Sequence, residues 1–263
     1  MSRIQDAARE LSDLLKKLSA DYIAANVEES EASTLTYRGR ELESTTRSSA
    51  SGGNIRALRR GGWGFVSFND FSDLPGKVRA AVHQAELAGK EVSQLAPAPV
   101  VQDIVPPRWN RGNLVAIPLA DKKNLLDGYN EIIWRTPRIK TSVIGYGDSH
   151  RKKLFVNSAG SYIEQEFADI TLRLTAIAAD GGEVQQVGLS LGTTGDINPV
   201  SHLEKEVTDM AKNAVAMLDA PQVKGGEYTV VLDQSWPGSS PMRPSGTSPS
   251  PTSSTRTSGL RKS

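Results

Sequence analysis

The stretch from Arg138 to Gly192, RIKTSVIGYGDSHRKKLFVNSAGSYIEQEFADITLRLTAIAADGGEVQQVGLSLG, alternates apolar and polar side chains and is cut twice by turn signals, N-S-A-G and A-D-G-G. A period of two puts every second side chain on one face of a strand, and tight turns between consecutive strands make their pairing antiparallel. The stretch therefore predicts a curved antiparallel sheet. Everything else in the chain has to fit around it.

Similar short runs come earlier. YIAANVEES, STLTYRGRELESTTRSSA, GNIRALRRGG and WGFVSFND, punctuated by glycine, predict an antiparallel meander with an edge strand exposed near Thr34 to Phe68. Helical periods flank the strands. Ile4, Ala7, Ala8, Leu11, Leu14, Leu15, Leu18 and Tyr22 form an opening stripe, with Ser2 and Gln5 at capping-box spacing. Leu74, Val78, Ala81, Val82 and Ala85 predict a second helix, and Leu125, Leu126, Tyr129, Ile132, Ile133 and Trp134 a third, ended by Pro137. A fourth carries Leu203, Val207, Met210, Ala211, Ala214, Val215 and Leu218 behind a Ser201/Glu204 capping box. The fold class is α+β. Two packed units are expected, 1–98 and 110–226, joined by a Pro-rich connector at 99–109, with a strand EYTVVLD in 227–234 and a disordered tail over 235–263.

Composition narrows function mainly by exclusion. With 38% hydrophobic residues in 263 the chain can bury a core. Thirty-one basic against thirty acidic residues provide no global field for nucleic acid or an anionic membrane, so neither is expected as a partner. There is no cysteine, hence no disulfide framework or thiolate zinc site, and the cytoplasm is the expected compartment. The N-terminus has no signal-peptide core, and no run approaches the roughly 20 apolar residues of a membrane span.

The residues do not assemble a reactive centre. His83, His150 and His202 are far apart and outside any H-E-x-x-H arrangement, so each is expected to be structural or exposed. G-T-T-G-D and G-G-W-G-F lack the spacing and following helix of a phosphate loop, and turn glycines explain them better. Ser158 lacks the G-x-S-x-G elbow of an activated nucleophile. Arg56, Arg59 and Arg60, with Trp63 and Phe65, have the ingredients of a single-strand nucleic-acid surface, but neighbouring carboxylates cancel the field. No catalytic, cofactor-binding or metal-ligating residue is assigned in this chain.

The order of three stretches between Asp21 and Asp233 resembles the N-terminal and middle parts of the TldD/PmbA family of zinc metalloproteases: TLTYRGRELESTTRSSASGGNIRALRRGGWGFVSFND, the KKLFVNSAG hairpin, and the helix LEKEVTDMAKNAVAMLDAPQV before GEYTVVLD. The resemblance implies peptide hydrolysis on extended or unfolded peptides, and a dimer of identical chains or with a paralogue. It also implies zinc in an intact member, bound downstream of Asp233 by an H-E-x-x-x-H segment in which neutral imidazoles ligate the metal and the glutamate takes a proton from bound water. Here Ser235, Trp236 and Pro237 stand where that segment is due, so no cofactor is expected in this chain.

Of the 29 residues from Ser235 to Ser263, 22 are Ser, Pro, Thr or Gly and none is acidic, too polar a tract to offset its chain entropy by burial. A natural flexible tail, a glycosylated mucin-like segment and an out-of-frame product all fit that composition. The genetic code favours the third. Loss of one G after the codon of Gln234 turns GAG-CTG-GCC into AGC-TGG-CC, that is Glu-Leu-Ala into Ser-Trp-Pro. In the original frame the following codon boundaries permit E-L-A-G-V-F-T-H-E-A-F-G-H-L, with H-E-x-x-x-H in the expected place. Two functions follow: a truncated, inactive member of the metalloprotease family, or a non-catalytic scaffold that binds peptides or a partner.

Overall fold

The computed structural model describes residues 3–89, 95–105, 114, 117–221, 224–227 and 229, and residues 1–220 form one compact unit. Its elements are α1 (Arg3–Leu15), β1 (Tyr22–Arg38), β2 (Glu41–Arg59), β3 (Gly62–Phe68), α2 (Leu74–Ala88), β4 (Gln102–Val105), α3 (Leu119–Trp134), β5 (Ile139–Asn157), β6 (Tyr162–Asp180), β7 (Glu183–Thr194), a 3-10 turn at Asn198–Val200, and α4 (Glu204–Leu218). The strand EYTVVLD and the tail 235–263 lie outside the described residues, apart from isolated positions.

The fold is α+β, as the alternation requires, but the described strands form a single sheet in the order β3-β2-β1-β5-β6-β4, with β7 also on β6. Two separate sheets were expected. Instead β1 pairs antiparallel with β5 from Ala24 opposite Asn157 to Arg38 opposite Val143, so the two halves of the chain share a hydrogen-bond ladder. Pairing both edges of a 17-residue strand satisfies backbone groups that a separate N-terminal sheet would leave bare. The connector also takes part: Gln102–Val105, the last four of the six residues between Pro99 and Pro106, run parallel to Tyr162–Gln165 as β4. Prolines on either side limit this strand to residues that still have N–H donors.

Burial alternates along the long strands, and one face carries both cores. In β1, Ile23, Ala25 and Val27 pack with α1, α2, Ile55, Leu154 and Val156, whereas Leu35 and Tyr37 pack with α3, α4, Ile144, Ile170 and Leu172. All five β1 residues are odd-numbered, so the two clusters occupy opposite ends of the same face. Between them the face carries Glu29, Glu31 and Ser33. That interruption is too polar for either helix pair to cover as core.

The helices follow their apolar stripes, with instructive exceptions. The buried residues of α2 are Leu74, Val78, Ala81, Val82 and Ala85, the predicted set, and Asp73 caps the helix by accepting from Gly76 N at 3.0 Å. α1 ends at Leu15, so Leu18 and Tyr22 of the predicted stripe are not helical, and Tyr22 starts β1. Gln5 donates to Glu164 at 3.0 Å, and Ser2 lies outside the described residues. The Ser201/Glu204 capping box does not form: the residue preceding α4 is Leu203, and the Ser201 hydroxyl donates to the Ile197 carbonyl at 3.1 Å. α4 is fixed by tertiary contact instead, the Tyr129 hydroxyl donating to Val200 O at 2.7 Å and accepting from Leu203 N at 3.3 Å.

G-G-W-G-F is a packing device. A Cβ on Gly64 would stand 1.9 Å from the Ala81 carbonyl oxygen and one on Gly62 2.2 Å from that of Ala85. Only glycine lets α2 lie this close to β3.

Candidate functional site

The feature of this sheet most able to engage another chain is an edge. β3 pairs with Gly53–Arg59 only, so among the described residues Glu41–Gly52 of β2 has a partner on one side, β1. At about 3.3 Å per residue this leaves about 40 Å of strand backbone with unmatched N–H and C=O groups. Proteins usually guard such edges with charge, proline or a bulge. Ser44–Gly52, STTRSSASG, has one charge and no proline, and its pairing with β1 is regular there; the register shifts only beyond Thr36. The predicted exposed edge is present, and it extends along β2 past the end of β3.

On the helix-bearing face, the edge is backed by the polar band between the two cores. Cross-strand neighbours there are Glu29 with Lys152, Glu31 with His150, and Ser33 with Asp148. Glu164 and Glu166 of β6 complete the band: Lys152 Nζ lies 2.5 Å from Glu164 and 3.6 Å from Glu166, and His150 Nε2 lies 3.4 Å from Glu166 Oε2. Burial alone would lower the Lys152 pKa, but its hydrogen bonds and charge contacts with Glu164 and Glu166 outweigh that and hold it above the usual lysine range. Arg47 on the open strand reaches back to Glu31 at 3.7 Å. The band is a web of paired charges between the two apolar cores.

One pair in the band is fully buried. Lys122 of α3 places its ammonium 2.7 Å from Asp148 Oδ2, both side chains at 0% exposure, and donates to Ser33 Oγ at 3.3 Å. Burial, then the neighbouring Asp148 charge, push the Tyr146 hydroxyl pKa far above the tyrosine range. No substrate can reach these groups. They clamp α3 to β1 and β5 where apolar packing gives out. The sequence did carry a signal for Lys122, since it sits four residues before Leu126 on the buried stripe Leu126, Tyr129, Ile133.

The residues singled out in the sequence are dispersed. His83 is on the exposed side of α2, 3.9 Å from Glu86; His150 is in β5; His202 is in the turn before α4 with φ of 60°. Among the described residues no three His, Asp or Glu side chains group to hold a metal ion, so those present do not fit one. Ser158 is structural: its hydroxyl accepts from Ile23 N at 3.0 Å, and its own N–H donates to Ile23 O at 2.8 Å, fastening the β5–β6 turn to β1. Arg59 pairs with Glu86 at 2.9 Å, the Arg60 N–H donates to Asp21 at 2.8 Å, and Arg56 lies over the Trp63 ring at 5.8 Å. Trp63 and Phe65 are exposed. In G-T-T-G-D, Gly192 lies within β7, which ends at Thr194, and Gly195 turns the chain at φ of 92°. No described helix is long and apolar enough to cross a membrane.

Comparison with known proteins agrees with this architecture. Residues 25–88 match the family model for PmbA/TldA metallopeptidase domain 1, and residues 112–218 match that for the PmbA/TldA metallopeptidase central domain. A metalloprotease of Synechocystis is 35% identical over 216 residues, 81% of this chain and 46% of that relative. A metalloprotease of Methanothermobacter thermautotrophicus is 27% identical over 215 residues, 78% of this chain and 45% of its own. The chain thus spans about half the length of the curated relatives it matches. In fold it is similar to a Thermotoga maritima protein, with a TM-score of 0.71 at 15% identity over 85% of this chain and 50% of that one. TldE from Thermococcus kodakarensis is also similar, with a TM-score of 0.60 at 16% identity over 81% and 47%.

Proposed function

The chain belongs to the PmbA/TldD family of metallopeptidases, and from that membership we propose that its described body holds an extended or unfolded peptide substrate on the free edge of β2. The carrying observation is the unguarded stretch Ser44–Gly52, paired on one side only among the described residues. An extended peptide laid there completes the ladder with its backbone, and the small Ser, Thr, Ala and Gly side chains of the edge admit many sequences. Hydrogen exchange tests this. A labelled twelve-residue extended peptide should protect the amides of Ser44–Gly52 selectively, and the same peptide N-methylated at alternate amides should not bind. Protection elsewhere, or equal binding of the methylated peptide, refutes the edge as the site.

Chemistry is assigned differently. We propose that this chain does not hydrolyse peptides, because its described histidines and carboxylates do not converge on a metal, and that residues 235–263 translate a shifted frame in place of the H-E-x-x-x-H segment. The support is the codon arithmetic at Gln234. In this proposal an intact member carries the metal, works in the cytoplasm, and forms a dimer of identical chains or with a paralogue. The test expresses this sequence beside one with the single base restored, and measures bound zinc by elemental analysis and cleavage of an unfolded peptide. Metal and turnover only in the restored chain are expected. Equal metal and equal activity overturn both the shifted frame and the inactive assignment.

A further inference from the structure

Building on the reading of the β2 edge as a peptide site, we infer that a hollow on the helix-free face of the sheet is a side-chain subsite for that peptide, selective for a primary carboxamide such as glutamine. The hollow has a volume of 310 Å³ and is lined by Asn26 and Glu28 of β1, Ala50, Gly52 and Asn54 of β2, and Lys153 of β5. Its floor is bare for a packing reason. A Cβ on Gly52 would stand 2.4 Å from the Phe68 carbonyl oxygen, so the end of β3 demands glycine there, and Ala50 adds only a methyl.

Its rim is polar in a particular way. Glu28 and Lys153 are direct cross-strand partners, yet among the described residues neither makes an ion pair with the other or with any third group. Asn26 donates to Asn54 at 3.4 Å, a long bond that leaves the remaining amide positions open. A cationic side chain entering here meets Lys153, an anionic one meets Glu28, and an apolar one satisfies neither. A carboxamide donates to Glu28 and accepts from Lys153 at once.

Position links the hollow to the edge. β3 ends with Phe68 opposite Gly53, so a strand added along β2 has its end beside Ala50 and Ser51. Side chains alternate between faces, so one position near that end of the peptide projects over Ala50 toward the hollow.

The experiment uses the full chain and a fluorescein-labelled twelve-residue threonine–serine peptide carrying glutamine, leucine, glutamate or lysine at successive positions, read by fluorescence polarisation. One position near one end should favour glutamine over leucine about tenfold or more, tenfold being about the size of a single hydrogen bond to a charged group. Lys153→Met, whose circular dichroism should be unchanged, should erase that preference while the leucine peptide binds as before. If the peptides bind and protect Ser44–Gly52 but glutamine and leucine are equal everywhere, the subsite is refuted and the edge stands. If glutamate or lysine is preferred, or if Lys153→Met keeps the glutamine preference, the carboxamide assignment is refuted. Absence of any peptide binding refutes the edge reading and the subsite with it.

Discussion

Replacing Lys122 by methionine should be among the most damaging single changes in the protein, although it puts an apolar side chain into a buried place. Lys122 Nζ lies 2.7 Å from Asp148 Oδ2 and within 3.3 Å of Ser33 Oγ, with both charged side chains at 0% exposure. Removing the ammonium leaves a carboxylate without water or counter-charge. Breaking a buried pair in this way costs about 3–5 kcal/mol. For a body of this size that corresponds to a fall in Tm of about 6–20 °C. Asp148→Leu should cost a similar amount by orphaning Lys122. The double variant should recover most of the loss, because an apolar pair of similar volume avoids the desolvation of both ions. Urea unfolding followed by far-UV circular dichroism on the four proteins gives the coupling energy, and an unchanged m value shows that the same surface unfolds in each. If Lys122→Met costs less than about 1 kcal/mol, or if the two single losses simply add in the double variant, the pair does not clamp α3 to the sheet.

Three further outcomes are expected. Gly64→Ala should destabilise by about 1–3 kcal/mol or more, because its Cβ would fall 1.9 Å from the Ala81 carbonyl oxygen and push α2 off β3; Gly145→Ala, with nothing within 4 Å of its Cβ, should change stability by no more than about 0.5 kcal/mol in the same denaturation assay. Asp70 should titrate near pH 2 by carboxyl NMR, since hydrogen bonds from the Ser72 side chain and backbone and from Lys77 hold its pKa down to about 2; its stabilising contribution is present above the unfolded value of about 3.9 and is lost as pH falls through the folded one, and a midpoint near 3.9 would refute the network. Ser158→Ala should cost about 1–2 kcal/mol in thermal or urea unfolding, by leaving the buried Ile23 N–H without its acceptor, and an unchanged midpoint would refute that role.

Much of the fold was legible because it is written in local periods. Alternation from Arg138 to Gly192, with glycines at the turns, specifies β5, β6 and β7, and the stripe Leu74, Val78, Ala81, Val82, Ala85 specifies α2 and the face it buries. Family membership was legible for a related reason: strand, basic strand, G-W-G-F strand and helix recur in a fixed order along the chain. What the sequence could not decide was pairing between segments far apart in it. That β1 lies beside β5, making one sheet from two expected ones, depends on which open edges meet, and hydrogen-bonding backbone looks alike in every strand. The same holds for Gln102–Val105, which became β4 because the edge of β6 was there to pair with. Side chains whose partners lie far along the chain were equally hidden: Lys122 needs Asp148, Ser158 needs the Ile23 amide, and Ser201 reads as a helix cap until the packing of α4 against Tyr129 moves the helix start to Glu204. The sequence determined the strands and the helix stripes. Only the tertiary structure decided which strand edge stays open, since an edge is free or paired according to what reaches it from elsewhere in space.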